Sequence, residues 1–278
     1  MRPFAIAGVQ MKVSAVASNV EMMKLKIDIT MNLYPWIEMV LFSELCAYGP
    51  LTHTAQEIPC SFETEMQAMA KKYGIWLLPG SIFEKSNGKI YNTATVINPK
   101  GEIVTRYRKM FPFYPYEVGV TPSLGAEVIL HPTMSGTIDR DIELSIVRAM
   151  ASVNQCYFFD VNGLDTGGTG RSIVCGPDGL VIHQSEGTEE IIPLELNIAR
   201  VKRSRELGIL RLGQPLKSFR DHLGQFKIYQ PDAPHPYLDS LGPLIKPNRL
   251  DKLTELIIKE DNLEHPRSSV HYKGDNSN

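Results

Sequence analysis

The stretch Met39-Val40-Leu41-Phe42-Ser43-Glu44-Leu45 decides the fold. Its apolar run is nearly continuous, the pattern of a strand buried on both faces of a helix-covered sheet. The run breaks at Ser43-Glu44. An ionisable group at the end of such a strand is costly to bury unless partners are supplied. The ends of parallel strands are also where α/β proteins place their sites. Read alone, Glu44 is either a functional base or a structural carboxylate that caps a helix or pairs with an arginine.

Working outward, residues 4–11 (FAIAGVQM) form a first strand and 19–33 a helix that Ser18 or Asn19 could cap. Residues 61–73 form a helix, with Phe62, Met66, Met69 and Ala70 at helical spacing. Residues 75–84 read as one strand bent at Pro79-Gly80. The grammar then changes to hairpins. Runs 90–98 and 102–108 alternate around the turn Pro99-Lys100-Gly101, and 171–175 and 180–184 do so around Gly176-Pro177-Asp178-Gly179. Residues 127–133 and 156–163 are further buried strands. Between them, 138–154 is the clearest helix, with Ile142, Ile146, Met150 and Val153 on one face. Residues 190–198 are a last strand. Mixing βα units with hairpins excludes an eight-fold barrel and a plain dinucleotide-binding fold. Two mixed sheets covered by helices fit. A domain over 1–221 is expected, followed by an arm over 222–278. From Gly213 on, the chain is proline-rich, with one helix over 248–259 and a polar tail from His265. Such an arm is expected to clasp onto a partner subunit rather than fold on itself.

Composition narrows the function classes. With 29 Lys and Arg against 31 Asp and Glu, no nucleic-acid surface or anionic-membrane surface is indicated. No run of 18 apolar residues exists, and the N-terminus lacks a signal-peptide pattern. The cysteines Cys46, Cys60, Cys156 and Cys175 are scattered, without a CxxC pair that would suggest zinc. They are too few for a disulfide scaffold, so a reducing, cytoplasmic setting is expected. Gly167-Gly168-Thr169-Gly170 lacks the lysine spacing of a nucleotide-binding loop.

Lys109 closes a hairpin strand in Tyr107-Arg108-Lys109-Met110, where a lysine is ordinarily just solvated. Glu117 follows in an aromatic loop, Phe113-Tyr114-Pro115-Tyr116-Glu117, which suits either a pocket wall or local packing. Together these stretches resemble the nitrilase (carbon–nitrogen hydrolase) superfamily. Phe42-Ser43-Glu44-Leu45 is similar to its general-base motif, and Tyr107-Arg108-Lys109-Met110 to its lysine motif. Glu117 falls where many members place a second glutamate. Leu77-Leu78-Pro79-Gly80-Ser81, Tyr91-Asn92-Thr93, the stretches 125–135 and 154–163, and Gly170-Arg171-Ser172 extend the likeness from Pro3 to about Asp221.

The resemblance implies a four-layer α-β-β-α sandwich with two mixed sheets and a C-terminal oligomerisation arm. It implies hydrolysis of a non-peptide C–N bond (amide, carbamoyl amide or nitrile) in a small molecule, with no metal or organic cofactor. Subunits of the family pair, so a homodimer or larger homo-oligomer is expected. Glu44 would be the base, Lys109 the oxyanion stabiliser and Glu117 the positioning carboxylate. Tyr48, Tyr116, Thr133 and Met134 are the expected substrate contacts.

The likeness breaks at the nucleophile. The family carries its cysteine on a strand-to-helix elbow between the second glutamate and the strand matching 127–133. Here only Val118-Gly119-Val120-Thr121-Pro122-Ser123-Leu124-Gly125-Ala126 spans that interval, with the junction between Pro122 and Leu124. Three explanations stay open: the working protein has residues not present here, the deletion folds with rearrangement, or a partner chain fills the gap. Cys46 is the nearest substitute, since i and i+2 share a face on an extended strand. A non-catalytic subunit on the same scaffold is the alternative reading.

Overall fold

The structure is a computed structural model that describes residues 2–109, 125–209, 213–221, 234 and 236–242. Seven strands form the larger sheet in the order β13 (Glu190–Leu196), β1 (Phe4–Gln10), β3 (Met39–Phe42), β4 (Trp76–Leu78), β6 (Lys89–Ile97) and β5 (Ser81–Ser86); β7 (Ile103–Arg108) also pairs with β6. The apolar runs of β1, β3 and β4 lie parallel at its centre, and β13 and the hairpin strands are antiparallel to their neighbours. The smaller sheet runs β12 (Val181–Gln184), β11 (Ile173–Cys175), β9 (Tyr157–Asn162), β8 (Val128–Thr133), with β8 and β9 parallel. A short parallel pair, β2 (Lys12–Val13) with β10 (Leu164–Asp165), ties the chain after β1 to the chain after β9.

Alternation along β1 builds the layers. Ala5, Ala7 and Val9 meet Met23 and Ile27 of α1 (Val20–Leu33) and Phe62 and Met66 of α2 (Ser61–Tyr73). Ile6 faces the other way, with Leu41 and Leu78, onto Phe159, Val161 and Val174 of the smaller sheet. The outer face of that sheet is covered by α3 (Asp139–Val153), through Leu144, Val147 and Ala151 against Phe158 and Ile173. The result is helix, sheet, sheet, helix. Two further helices follow, α4 (Ile198–Leu207) and α5 (Pro215–Asp221). The chain groups into one unit over Met1–His222 and a second over Leu223–Asn278. Of the second unit, α6 (Pro236–Ser240) is described. The helix expected over 248–259 and the polar tail lie outside the described residues. Among the described residues no helix is long and apolar enough to cross a membrane.

Three local expectations are corrected. The strand over 75–84 is two strands, β4 and β5, in different pairings. Gly80 turns the chain between them with φ +74°, and a Cβ there would collide with the Ser43 carbonyl oxygen. β5 and β6 then make a hairpin on Asn87-Gly88, both at positive φ, a turn signal that the sequence analysis passed over. Asn19 immediately precedes α1 without capping it through its side chain, which instead holds the backbone of Ser14 through two 2.9 Å bonds.

The third correction concerns α3. Of the four residues expected to pack, Ile142 and Val153 are turned outward, 57% and 53% exposed, while Ile146 is half-buried and Met150 packs at the edge of the core cluster. The helix has two apolar stripes, and the packed one is the stripe that brings Arg140 inside. Arg140 donates to Asp160 Oδ1 at 2.5 Å and to the Arg171 carbonyl at 2.7 Å, and His131 Nδ1 meets Asp160 Oδ2 at 2.6 Å. Burial pushes the Asp160 carboxyl up, but the Arg140 charge and the His131 hydrogen bond outweigh it and hold the group below the usual carboxylate range. Burying Arg140 is compensated only in this rotation of the helix.

Two predictions follow from the packing. A Cβ on Gly8 would lie 2.6 Å from Phe159 Cε1 and 2.9 Å from Val161 Cγ2. Gly8→Ala should therefore destabilise by about 1–3 kcal/mol in urea unfolding. Alanine in a strand is otherwise the better residue, so a stabilised variant would show that the sheets part without cost. Asp160 has a lowered carboxyl, so its stabilisation is present above the unfolded value near pH 4 and is lost as pH falls through the folded value. Asp160→Asn should lose stability at neutral pH and show a shallower acid limb in unfolding series from pH 7 to about pH 3. An unchanged acid limb would remove Asp160 as its source.

Candidate active site

β3 ends at Phe42, and Leu45, at φ 52°, turns the chain away from the strand. Ser43 and Glu44 lie between those points. The Glu44 N–H donates to the Thr133 carbonyl at 3.2 Å, at the end of β8 in the other sheet, and the Leu45 N–H donates to Ser81 Oγ at 3.1 Å. The site thus forms where the ends of β3 and β8 meet.

Glu44 is only 8% exposed. Its Oε1 accepts Nδ2 of Asn92 at 2.6 Å and Nζ of Lys109 at 3.0 Å. Both donors come from the β6–β7 hairpin. Asn92 pairs with Phe83 of β5 on one side. On the other, its carbonyl accepts the Lys109 N–H at 2.8 Å, carrying the ladder one residue beyond the last pair, Thr93 with Arg108. Strand alternation sorts the cations of this segment. Arg106 forks onto the buried Glu63 at 2.7 and 3.0 Å, and Arg108 onto the buried Glu84 at 2.9 and 2.5 Å. Thr95 and Thr93 add bonds to the same two carboxylates. The Arg108 hydrogen bonds hold the Glu84 carboxyl below its ordinary value. Lys109, next along, projects the other way and meets Glu44.

The Thr133 end of β8 is itself held in place. Asn162 accepts the Ser135 N–H at 2.9 Å and donates to the Ser135 and Gly170 carbonyls at 3.1 and 2.8 Å. Ser135 Oγ bonds Glu143, which pairs with Arg140. Thr133 gives its carbonyl to Glu44, and its hydroxyl lies 3.5 Å from Ser135 Oγ. Met134 beside it is half-buried. Tyr48 packs edge-on against Phe62 of α2, with ring centroids 5.9 Å apart. Glu117 and Tyr116 lie outside the described residues. Periodicity and motif spacing alone assign Asn92 no role. Its signal was an amide on the face of β6 opposite Thr93 and Thr95, within Tyr91-Asn92-Thr93.

The cysteines do not join this site. Cys46 was expected to share a face with Glu44, but the positive φ at Leu45 breaks the extended geometry that the i, i+2 rule requires. Its sulfur lies 3.6 Å from Met23 Sδ and 3.7 Å from the Pro79 carbonyl, in the core beneath α1, and burial pushes its thiol far up. Burial likewise pushes Cys156 up to about 11 and Cys175 up to about 12, and it raises Cys60. None is an activated thiolate. Among the described residues no cluster of three or more His, Cys, Asp or Glu could hold a metal ion.

Residues 5–124 match the family model of carbon–nitrogen hydrolases. A formamidase of Helicobacter acinonychis is 36% identical over 134 residues, which are 41% of this chain and 38% of the relative. The chain therefore spans about two fifths of the length of that relative. A carbon–nitrogen hydrolase from Helicobacter pylori G27 superimposes with a TM-score of 0.63 at 20% identity, covering 81% of this chain and 99% of that one. An amidase from Nesterenkonia sp. AN1 superimposes with a TM-score of 0.63 at 16% identity, covering 73% and 94%. The matched stretch holds Glu44, Asn92 and Lys109, and the sandwich around them is the fold of these solved neighbours.

Proposed function

We propose that this protein is a cytoplasmic hydrolase of the amidase type, acting on the C–N bond of a small amide, carbamoyl amide or nitrile. The observation that carries the reading is the 3.0 Å pair of Glu44 and Lys109 at the buried junction of the two sheets. Glu44 is the general base and Lys109 the cation for the developing oxyanion, with Glu117 as the positioning carboxylate. The Helicobacter relative is named a formamidase, and a mutant of the Nesterenkonia amidase shows covalent addition of the acetamide moiety of fluoroacetamide at its active-site cysteine. By that analogy, a thiol gives its proton to Glu44 and its sulfur bonds the substrate carbon. The oxyanion then settles against Lys109, and the leaving amine departs with the proton from Glu44. Water, deprotonated by Glu44, cleaves the thioester and frees the thiol.

The thiol must come from outside the four cysteines of this sequence. A purified protein whose intact mass exceeds 31.1 kDa by several kilodaltons would carry the missing elbow. In that protein Glu44→Gln should lower turnover of formamide or acetamide by at least about 10²-fold while the Tm stays within a few degrees. Turnover retained by that variant would sink the base assignment. A mass matching 31.1 kDa favours the second reading, a non-catalytic subunit on the same scaffold, which the burial of all but one of its cysteines supports. Iodoacetamide separates the two, because it abolishes turnover by a nucleophilic thiol and finds no turnover to abolish in a scaffold. We extend the proposal to a homo-oligomer; sedimentation velocity giving monomer alone would oppose that part.

A further inference from the structure

We infer that Asn92 is the positioning residue of the Glu44 carboxylate, holding Oε1 beside Lys109 so that Oε2 is the oxygen that exchanges protons. The inference rests on the reading of Glu44 as a base. A carboxylate has two oxygens with acceptor sites to spare. Here both donors, Asn92 Nδ2 and Lys109 Nζ, converge on Oε1, and among the described residues no hydrogen bond reaches Oε2. Two donors draw charge toward Oε1 and make it the poorer proton acceptor. The ionised carboxylate only accepts, so the amide must turn its NH2 toward Glu44. An amide donor also takes no part in proton exchange near neutral pH, whereas a second cation or acid in its place would.

Asn92 is further suited to the task by its backbone. It lies within a nine-residue strand, paired to Phe83 on one side and bonded to Lys109 N on the other. One residue therefore grips the base with its side chain and the lysine with its carbonyl. Any displacement of β6 moves the two together, so their separation is kept. A buried carboxylate needs partners in any fold, and a purely structural role would end there. Choosing one oxygen for both donors is what a base requires in addition.

The test uses Asn92→Leu, which keeps the strand carbonyl and the side-chain volume but removes the donor, and Asn92→Gln, which keeps a donor on a longer arm. Asn92→Leu should lower kcat by about 10- to 100-fold with KM within about threefold, since it touches the base and not the substrate. Asn92→Gln should recover part of that loss. Equal losses in both variants, or a loss confined to KM, would overturn the inference. The second readout needs no turnover. In ¹H–¹⁵N spectra of the full chain, the Asn92 side-chain amide should carry a downfield proton that moves upfield in Glu44→Gln. An amide unmoved by Glu44→Gln would overturn the contact, and in a chain without turnover this spectrum decides alone. Wild-type kcat in Asn92→Leu beside an inactive Glu44→Gln would remove the inference and leave the base assignment standing. An active Glu44→Gln would remove the assignment itself.

Discussion

A carboxylate at the inner end of β3 has to be compensated, and much of the molecule is arranged to do it. Glu44 is nearly sealed from solvent, and a lone charge there would cost several kcal/mol. Its partners come from far along the chain. Asn92 is 48 residues away and Lys109 is 65. The Thr133 carbonyl that fixes its backbone belongs to the other sheet. Satisfying one group thus sets the register of the β6–β7 hairpin and the approach of the two sheets.

The surroundings keep those partners from being spent elsewhere. Glu63 and Glu84 neutralise Arg106 and Arg108 on one side of β7, so Lys109 is left for Glu44 on the other. Behind β8, the Asp160, Arg140 and Asn162 bonds hold the loop at 133–135, and through it the carbonyl that Glu44 uses. Gly8 lets Phe159 and Val161 close the space between the sheets. The Glu44–Lys109 pair is therefore held and braced from both sheets. Cys46, Cys60, Cys156 and Cys175 stay apart from this pair, and burial pushes each thiol above its ordinary value.

What could be read in the sequence was whatever depends on near neighbours along the chain. The continuous apolar run at Met39–Phe42 announced a strand buried on both faces, and the helix at Ser61–Tyr73 was evident from its spacing. The alternation of hairpins with βα units pointed to two mixed sheets, and Glu44 and Lys109 were singled out as motif residues. The strand, the helix and the mixed sheets follow from periodicity, which a sequence displays directly, whereas Glu44 and Lys109 stood out through the resemblance to a known family. Tertiary packing decided the rest. It chose between the two apolar stripes of α3, because only one brings Arg140 to Asp160. It divided 75–84 into two strands, because Gly80 must pass the Ser43 carbonyl. It turned Cys46 into the core through the dihedral of Leu45. It set Asn92 against Glu44, a contact across 48 residues that depends on strand order, and no periodicity encodes strand order.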